Sequence, residues 1–440
     1  MTQDNEPAYG SPVVLFRTLE EKGRPPGPLF QTRIWRSPLR GPWLTSVFGL
    51  ILLWGLPILI ITGLLSYAAY QPQFPGNAFP SDVNGLRLPF FDWPTNPSWL
   101  YRLNQGLHVG LGLVLIPVVL AKLWSVIPKL FAWPPARSAA QLLERASLAL
   151  LVGSILFELV TGVLNTQYDY VFRFDFYTAH YYGAWVFIGA FLLHVGLKFP
   201  TMRRSLKARR IRDELKVPLA QTVPEPLDVH GLVATDPAPP SMSRRGLLGV
   251  VAGASATVGA VTLGQTIGWR PSALLSARGQ SYGDGPNDFQ VNRTARAAKI
   301  TPDLTGADWR LAVVGASGLS LSRAELLAMP QHTAELPIAC VEGWSSVQTW
   351  TGVRLRDLAA LAGVRDLDFA VVTSLERRGA FSRAVLNPGQ VLDADSLLAL
   401  QVNGVDLSLD HGFPARVIVP ALPGVHNTKW VARIELKERA

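Results

Sequence analysis

Four long apolar runs in the first half of the 440-residue chain restrict its fold more than any other feature. They cover approximately residues 43–69, 103–127, 146–165 and 179–199. Each run is long enough to cross a bilayer as a helix, and Pro57 in the first run should kink that helix without breaking it. With 48% hydrophobic and only 17% charged residues, the chain is too apolar for two ordinary soluble domains. We therefore expect an α-helical membrane bundle over residues 43–199.

The basic residues predict how this bundle is oriented. The N-terminal segment 1–42, which opens without a cleavable signal peptide, is basic just before the first run, as are the regions after the second and fourth runs. The positive-inside rule places these segments in the cytoplasm and the loops at 70–102 and 166–178 outside. The net charge of +9 is therefore explained without nucleic acid, since no basic helix with interleaved aromatic residues lies away from the membrane.

Three histidines lie in the apolar runs, where ionisable residues are rare and mark function. They are His108, His180 and His194. His180 and His194 are fourteen residues apart, so they return to nearly one face of the fourth helix, about 21 Å apart along its axis. This spacing on the last of four helices resembles the di-haem cytochrome b subunits of the formate-dehydrogenase and b561-like kind.

That resemblance implies that imidazoles ligate haem b. His108 and His180 both fall in the outer part of their helices and are expected to share an outer haem. For an inner haem, His194 lacks an obvious partner, because the first helix begins with the segment Arg40–Leu44, which contains no histidine. The alternative is that these histidines are hydrogen-bonded polar residues between helices. Glu158, in the third run, is either a proton acceptor for quinol or part of a polar contact.

The connector that follows is predicted to return the chain to the membrane. Residues 200–242 are basic and then proline-rich without periodicity, which indicates a cytoplasmic linker. Arg244 and Arg245 then precede a weakly apolar run and resemble a twin-arginine translocation signal. The alternative is a fifth helix with ordinary basic flanks. Both interpretations make 243–269 an outward-crossing transmembrane anchor and place residues 280–440 outside the membrane.

Residues 280–440 have the pattern of a soluble α+β, β-rich domain. Short alternating strands such as 309–314, turns with glycine, and short helices near 322–329 and 355–363 support this class. The domain contains Cys340, the only cysteine in the chain. One cysteine makes neither an internal disulfide nor an iron–sulfur cluster, but it can be one soft ligand to a metal that brings its other ligands. The alternative is an ordinary buried free cysteine.

The residues around Cys340 favour the metal ligand. The block Cys340–Gly352 reads Cys-Val-Glu-x-Trp-Ser and then Trp-x-Gly, and a second block runs over Asn403–Trp430. In this order and spacing they resemble the sulfite-oxidase-like molybdopterin family, and most closely its periplasmic methionine sulfoxide reductase catalytic subunits. The resemblance covers roughly residues 280–440 and implies a β-rich molybdopterin-binding domain.

The same resemblance implies the site residues. Cys340 would bind molybdenum. The residues that would contact the molybdopterin are Asn287, Gln290, Val291, Ser374 (or Thr373), His411, Arg416, Asn427, Thr428 and Lys429. Arginine offers a rigid fork and lysine a point charge to the phosphate of the cofactor. His411 replaces the asparagine of the reductase subunit, and this difference bears on the substrate.

Together these features predict a multi-domain, membrane-anchored molybdopterin-dependent oxidoreductase. It would exchange electrons with the quinone pool through haem b and reduce an extracytoplasmic S- or N-oxide such as methionine sulfoxide, free or protein-bound. The twin-arginine translocation machinery is its expected export partner. An alternative is a sulfite-type oxidase that passes electrons to the membrane. Non-enzymatic alternatives are a sulfite-oxidase-fold binding module on a membrane anchor, and a b-type electron carrier whose outer domain docks partners.

Overall fold

A computed structural model of the protein describes most of the chain. The described residues are 34–74, 76–77, 91–134, 138–165, 176–228, 231–266, 283–379 and 382–439. The N-terminal segment before residue 34, residues 75 and 78–90 of the predicted loop at 70–102, residues 166–175 of the predicted loop at 166–178, and the end of the predicted anchor at 267–269 lie outside the described residues.

Within the described residues, five helices are long and apolar enough to cross a membrane. They are α1 (Pro42–Ala69), α2 (Leu100–Leu130), α3 (Ala139–Asn165), α4 (Phe176–Ala208) and, after the short helix α5 (Ile211–Glu214), α6 (Arg244–Thr266). Each predicted apolar run lies inside one of the first four helices, and α1 continues through Pro57 as predicted. The helical N-terminal region is thereby confirmed.

The fourth helix is longer than its apolar run. It continues past residue 199 to Ala208, into the segment predicted as a linker. The added turns include Met202, Arg203, Arg204, Leu206 and Ala208, which have good helix propensity. Lys207 lies in the last turn, where a cation interacts favourably with the helix dipole. Hydropathy marks where a helix leaves the apolar region and not where its hydrogen bonding ends.

Two compact units divide the chain: residues 1–60, 112–164 and 174–259 form the first, and residues 61–111, 165–173 and 260–440 form the second. In the first unit, the connector packs on the helices. The Glu225 carboxylate accepts hydrogen bonds from the backbone N–H groups of Trp43 at 2.9 Å and Leu44 at 3.5 Å, which are otherwise unsatisfied at the start of α1. Arg244 pairs with Glu214 at 3.2 Å.

The second unit contains two β-sheets that confirm a mixed, β-rich domain. The strands are β1 (Arg310–Val314), β2 (Gly318–Ser322), β3 (His332–Ala339), β4 (Ser345–Arg354), β5 (Leu367–Ser374), β6 (Arg383–Leu386), β7 (Leu397–Val402), β8 (Val405–Asp406), β9 (Arg416–Ile418) and β10 (Val431–Glu438). One sheet has the order β2-β1-β10-β5-β6, and the other has the order β3-β4-β7-β8 with β9 also paired to β7. Only β1 and β10 pair in parallel among these strands, which the structure describes fully.

Short helices connect the strands of this unit. They are α7 (Ala295–Ala298), α8 (Pro302–Thr305), α9 (Arg323–Ala328), α10 (Leu355–Leu361) and α11 (Pro388–Leu392). The predicted strand near 309–314 corresponds to β1, and the predicted helices near 322–329 and 355–363 correspond to α9 and α10. At α9, Ser322 and Glu325 form a capping box, which explains why so short a helix begins sharply.

The second unit also includes the end of α1, the start of α2 and described parts of the segment between them. Asn77 accepts a hydrogen bond from the backbone N–H of Val385 at 2.7 Å. The Trp93 indole donates to the carbonyl of Ala421 at 2.8 Å. These bonds satisfy buried polar groups on both sides, so Asn77 and Trp93 are integral to the packing of this unit.

Candidate active site

Cys340 lies at the end of β3, where the chain turns into β4. The two strands pair up to Ala339 and Ser345, and the backbone N–H of Cys340 donates to the carbonyl of Trp344 at 2.9 Å. Gly343 occupies the left-handed region at φ +92°, which closes this tight turn. Cys340 is 5% exposed and belongs to a buried cluster that also contains Trp350. The hairpin therefore presents one thiol at the edge of a rigid apolar core.

The turn explains part of the sequence motif. The Trp344 indole donates to the Glu342 carboxylate at 2.7 Å, so these two motif residues fix the shape of the cysteine turn. The second block reaches the same place, because Gly424 N donates to the carbonyl of Ala339 at 2.8 Å. The structure thus brings Cys340 beside the chain segment that precedes Asn427.

Two buried cations lie in the second block. Arg416 and Lys429 are each 2% exposed, and neither forms an ion pair with any described residue. Lys429 Nζ donates to the backbone carbonyls of Arg293 and Asp410, and Arg416 donates to the carbonyl of His411 at 3.3 Å. Burial lowers the pKa of Arg416 to about 9, and burial and the Arg416 charge lower the pKa of Lys429 well below its usual value.

Two uncompensated buried cations are costly unless an anion joins them. Cys340 also acts electrostatically on Lys429, which places the thiol within range of this positive region. The Nε atom of Arg416 has no hydrogen-bond partner among the described residues. The arrangement can therefore accept an anionic group close to the thiol.

Further predicted residues support the loop that carries Lys429. The Ser374 hydroxyl donates to the carbonyl of Lys429 at 2.7 Å and accepts from Glu376 N at 3.0 Å. Its hydrogen-bonding capacity is thus largely used within the protein. Asn427 accepts from Val419 N at 2.8 Å, while its Nδ2 atom is buried without a partner in the described part of the chain. Thr428 follows Asn427 and is 1% exposed.

His411 is a neutral, stacked histidine. Its ring lies 3.6 Å from the Phe289 ring centroid, nearly parallel, and its Nε2 atom is 2.9 Å from the carbonyl of Asn287. Because a carbonyl only accepts, Nε2 carries the proton. Burial, with smaller effects of the Arg416 and Lys429 charges, lowers the pKa of His411 to about 3. His411 therefore contributes no charge near neutral pH.

The segment at 287–291 lies beside His411, as the predicted site requires. Asn287 donates to the carbonyl of Asp406 at 2.9 Å and accepts from Ser408 N at 2.8 Å, so its side chain joins two loops. Gln290 and Val291 are half-buried.

His426 lies in surroundings that suit a contact with a cofactor. It is fully buried, contacts the Tyr70 ring edge-on at 5.2 Å between centroids, and neither ring nitrogen has a hydrogen-bond partner among the described residues. Burial lowers its pKa to about 4. A neutral imidazole offers one donor and one acceptor, which suits the edge of a pterin. Its position directly before Asn427 in the second block is the signal that could have identified it.

These unsatisfied groups test whether a molybdopterin fits. Arg416 Nε, Asn427 Nδ2, the His426 ring nitrogens and the buried Ser345 hydroxyl all lack partners within the described chain. Buried polar groups are normally hydrogen-bonded, so these exceptions could each bond to a polar group bound at the site. Cations for a phosphate, mixed donors and acceptors for a pterin edge, and one thiolate for a metal match this cofactor.

The three histidines of the long apolar helices lie in three further places, and the first contains His108. Its Nδ1 atom lies 3.2 Å from the Thr62 hydroxyl, and a Cβ atom on Gly63 would come within 2.8 Å of the imidazole Cε1. The end of α1 thus places a threonine hydroxyl and a bare glycine against this ring.

A matching arrangement surrounds His180 in the first unit. Its Nδ1 atom lies 3.0 Å from the Thr161 hydroxyl and 3.1 Å from the Glu158 carboxylate, and a Cβ on Gly162 would come within 3.3 Å of Cε1. The Thr161 hydroxyl donates to the carbonyl of Phe157 at 2.7 Å, so it accepts the Nδ1 proton. That tautomer makes Nε2 the metal-binding nitrogen. Glu158 is part of this polar contact.

The repeated Thr-Gly pair is a signal that sequence reasoning missed. Thr62-Gly63 and Thr161-Gly162 each provide a hydroxyl for Nδ1 and a glycine that leaves room for the ring. A hydrogen bond at Nδ1 is the usual support of a metal-ligating histidine. Both sites therefore fit histidine ligands to a haem iron.

His194 has different surroundings. It lines a cavity of approximately 200 Å³ in the first unit, with mostly aliphatic walls and three lysines, Lys122, Lys129 and Lys198. Lys129 and Lys198 both donate to Glu144 Oε1, at 3.0 and 2.6 Å. No second histidine is among the described residues that line this cavity. The cavity does not fit a bis-histidine haem.

Within the described residues, no group of three or more His, Cys, Asp or Glu side chains converges on a common point. The candidate sites therefore contribute one or two protein ligands each. A molybdopterin and a porphyrin each supply their own further ligands, so such sites suffice for them.

Comparison with known proteins identifies the C-terminal region. Residues 298–440 match the family model described as "Oxidoreductase molybdopterin binding domain". A mitochondrial sulfite oxidase from Mus musculus is 32% identical over 165 residues, which cover 31% of this chain and 30% of that protein. The uncharacterized oxidoreductase YuiH of Bacillus subtilis (strain 168) is 35% identical over 130 residues, covering 29% of this chain and 64% of that protein.

Among solved structures, the sulfane dehydrogenase SoxCD from Paracoccus pantotrophus matches with 26% identity and a TM-score of 0.28, covering 30% of this chain and 39% of that chain. The chain thus spans about a third of the mouse relative and less than two thirds of the Bacillus relative. The family model over residues 298–440 and the sulfite oxidase relatives confirm the predicted sulfite-oxidase-like molybdopterin domain.

Proposed function

Because residues 298–440 form a sulfite-oxidase-like molybdopterin-binding oxidoreductase domain, we propose that the whole chain is a membrane-anchored molybdoenzyme. It exchanges electrons with the quinone pool through haem b and reduces an S- or N-oxide on the outer face of the membrane. One observation carries this proposal: Cys340, the buried cations Arg416 and Lys429, and the helix turns that carry His108 belong to the same compact unit.

The residues of the second unit hold the molybdopterin in defined ways. The Cys340 thiolate is the protein ligand to molybdenum, and Arg416 and Lys429 neutralise the phosphate. Asn427 Nδ2 and the His426 ring offer hydrogen bonds to the pterin. When bound, this cofactor supplies two-electron oxygen-atom transfer chemistry. His411 beside the cations is neutral, so the positive charge offered to an anion comes from Arg416 and Lys429. Because the pKa of His411 is about 3, its protonation does not change that charge near neutral pH.

His108 and His180 are the proposed ligands of one b-type haem, which supplies one-electron transfer when bound. The hydroxyls of Thr62 and Thr161 lie against Nδ1 of each ring, so Nε2 of both imidazoles would be the nitrogen that binds the iron. Because the cavity at His194 is lined by one histidine and three lysines, we propose a single haem for the protein.

The overall reaction balances with one quinol. Oxidation of the quinol, QH₂ → Q + 2H⁺ + 2e⁻, supplies the electrons for R₂SO + 2H⁺ + 2e⁻ → R₂S + H₂O. The matched relatives named as sulfite oxidases favour a second candidate, SO₃²⁻ + H₂O → SO₄²⁻ + 2H⁺ + 2e⁻, with the electrons passed to the membrane. The buried cations would also attract that anionic substrate.

The location of the enzyme is part of the proposal. Five membrane-compatible helices support a multi-pass protein with a cytoplasmic N-terminus. Arg244 and Arg245 would direct the folded domain outward through the twin-arginine machinery. Arg244 also pairs with Glu214, whereas Arg245 is exposed. Loss of export in Arg245→Lys, with the Arg244 pair intact, would support signal recognition, and unchanged export would favour an ordinary fifth helix.

Metal, pterin and haem analysis of detergent-purified protein tests the proposed function. We expect one molybdenum and one haem per polypeptide, and quinol-dependent reduction of methionine sulfoxide. Cys340→Ser should abolish turnover while leaving the haem spectrum unchanged, because the thiolate is the direct bond from protein to metal. Full turnover in Cys340→Ser would refute the molybdenum assignment. Quinone reduction by sulfite, without oxide reduction, would select the oxidase instead.

A further inference from the structure

The first turns of α2 contact the loop that carries Cys340. The side-chain amide of Gln105 donates a hydrogen bond of 2.6 Å to the backbone carbonyl of Val341, the residue after Cys340. Gln105 is only 4% exposed. Because a buried amide without a partner is costly, this bond holds the helix and the loop together.

Ser66, near the end of α1, fixes the orientation of the Gln105 amide. A carbonyl only accepts, so the NH₂ group of Gln105 must face Val341. The other end of the amide, Oε1, accepts a hydrogen bond of 2.7 Å from the Ser66 hydroxyl. Two membrane-type helices therefore cooperate in one contact with the cysteine loop.

Two further contacts bring the same helix against the loop. A Cβ atom on Gly343 would come within 2.8 Å of Val109, so the backbone of the turn is seated directly on α2. Tyr101 is fully buried and interacts electrostatically with Cys340. The first three turns of α2 thus face the loop at several points.

We propose that Gln105 is a positioning residue for the metal ligand. Through Val341 it holds the loop of Cys340 against α2, the same helix that carries His108. The inference rests on the proposed function, since it assumes that Cys340 binds the metal and His108 the haem iron. Its consequence is that α2 sets the position of both protein ligands, with Gln105 one turn before His108.

Thiol labelling tests this role without either cofactor, because Cys340 is the sole cysteine. Full-length protein is purified in detergent from cells that cannot make the pterin, and its rate of maleimide labelling is measured. Gln105→Leu keeps the size of the side chain but removes both hydrogen bonds. Only the bond to Val341 holds the cysteine loop, and losing one hydrogen bond shifts a local opening equilibrium about fivefold, so we expect about fivefold faster labelling.

Gln331→Leu is the matched control. Its amide also donates to backbone carbonyls, those of Leu326 and Met329, both at 2.8 Å, but these lie at the end of α9. This variant should label at the wild-type rate. Equal acceleration in both variants would indicate general loosening of the domain and would refute a specific role of Gln105.

Wild-type labelling of a folded Gln105→Leu protein would overturn the inference. If that variant does not fold, Ser66→Ala decides the question, since it leaves the amide in place and removes the group that orients it. We expect about twofold faster labelling for Ser66→Ala, and an unchanged rate would count against the proposal. Absence of haem and molybdenum from wild-type protein would instead refute the proposed function, independently of these rates.

Discussion

Two histidines on one helix show how little sequence spacing says about a ligand. His180 and His194 both lie on α4, fourteen residues apart, and the spacing alone makes them equivalent. Around His180, Thr161 accepts the Nδ1 proton and Gly162 leaves room for the ring. Around His194 there is a cavity lined by lysines and by mostly aliphatic side chains. The neighbours of an imidazole, more than its position, indicate a metal ligand.

Replacing each histidine with alanine should give the largest difference between the His180 and His194 surroundings. We expect His180→Ala and His108→Ala each to abolish the low-spin haem signal, because bis-imidazole ligation is lost. His194→Ala should leave that signal in place. Haem quantitation per polypeptide and the visible spectrum measure both effects. Loss of one of two haems in His194→Ala would show that the cavity holds a haem with an unrecognised second ligand.

The threonine hydroxyls provide the next test. Thr161→Val keeps the shape of the side chain but removes the acceptor for Nδ1, and such changes in outer-shell partners typically cost about 10- to 100-fold in metal affinity or activity. We therefore expect weaker haem retention and a shifted reduction potential. Thr201→Val is the control, since Thr201 lines the His194 cavity on the same helix. Equal haem loss in both variants would mean that the hydroxyl at Nδ1 is unimportant.

A glycine series gives the smallest and most graded effects. An added Cβ would lie 2.8 Å from the His108 ring at Gly63 and 3.3 Å from the His180 ring at Gly162, while Gly189 on α4 has nothing within 4 Å. We expect the shift of the haem spectrum to follow the order Gly63→Ala, Gly162→Ala, Gly189→Ala, with none for the last. The tightest contact requires the ring to move, because atoms do not approach so closely. A shift that does not follow this order would contradict tight packing of the rings.

Hydropathy and motif order predicted much of this protein. The four apolar runs became four helices, because length and apolar character alone set what can cross a bilayer. The two blocks at Cys340 and Lys429 were found by their types and spacing, and they meet in the second unit. The end of α4 was not found, since helical hydrogen bonding continues past the apolar residues through good helix formers.

The sequence by itself determined the helices that are apolar enough to span a membrane, the β-rich domain, and the cysteine and basic residues of the candidate site. Only the tertiary structure decided which side chains surround them: Thr62 at His108, Thr161 at His180, and the lysines at His194. Gln105 is the clearest case, since its partner Val341 lies 236 residues away in the chain. Helix length and strand alternation depend on residues that are neighbours in the chain, so local hydrophobic patterns predict them. The partner of a buried amide such as that of Gln105 depends on how distant segments pack together, so no local sequence pattern predicts it.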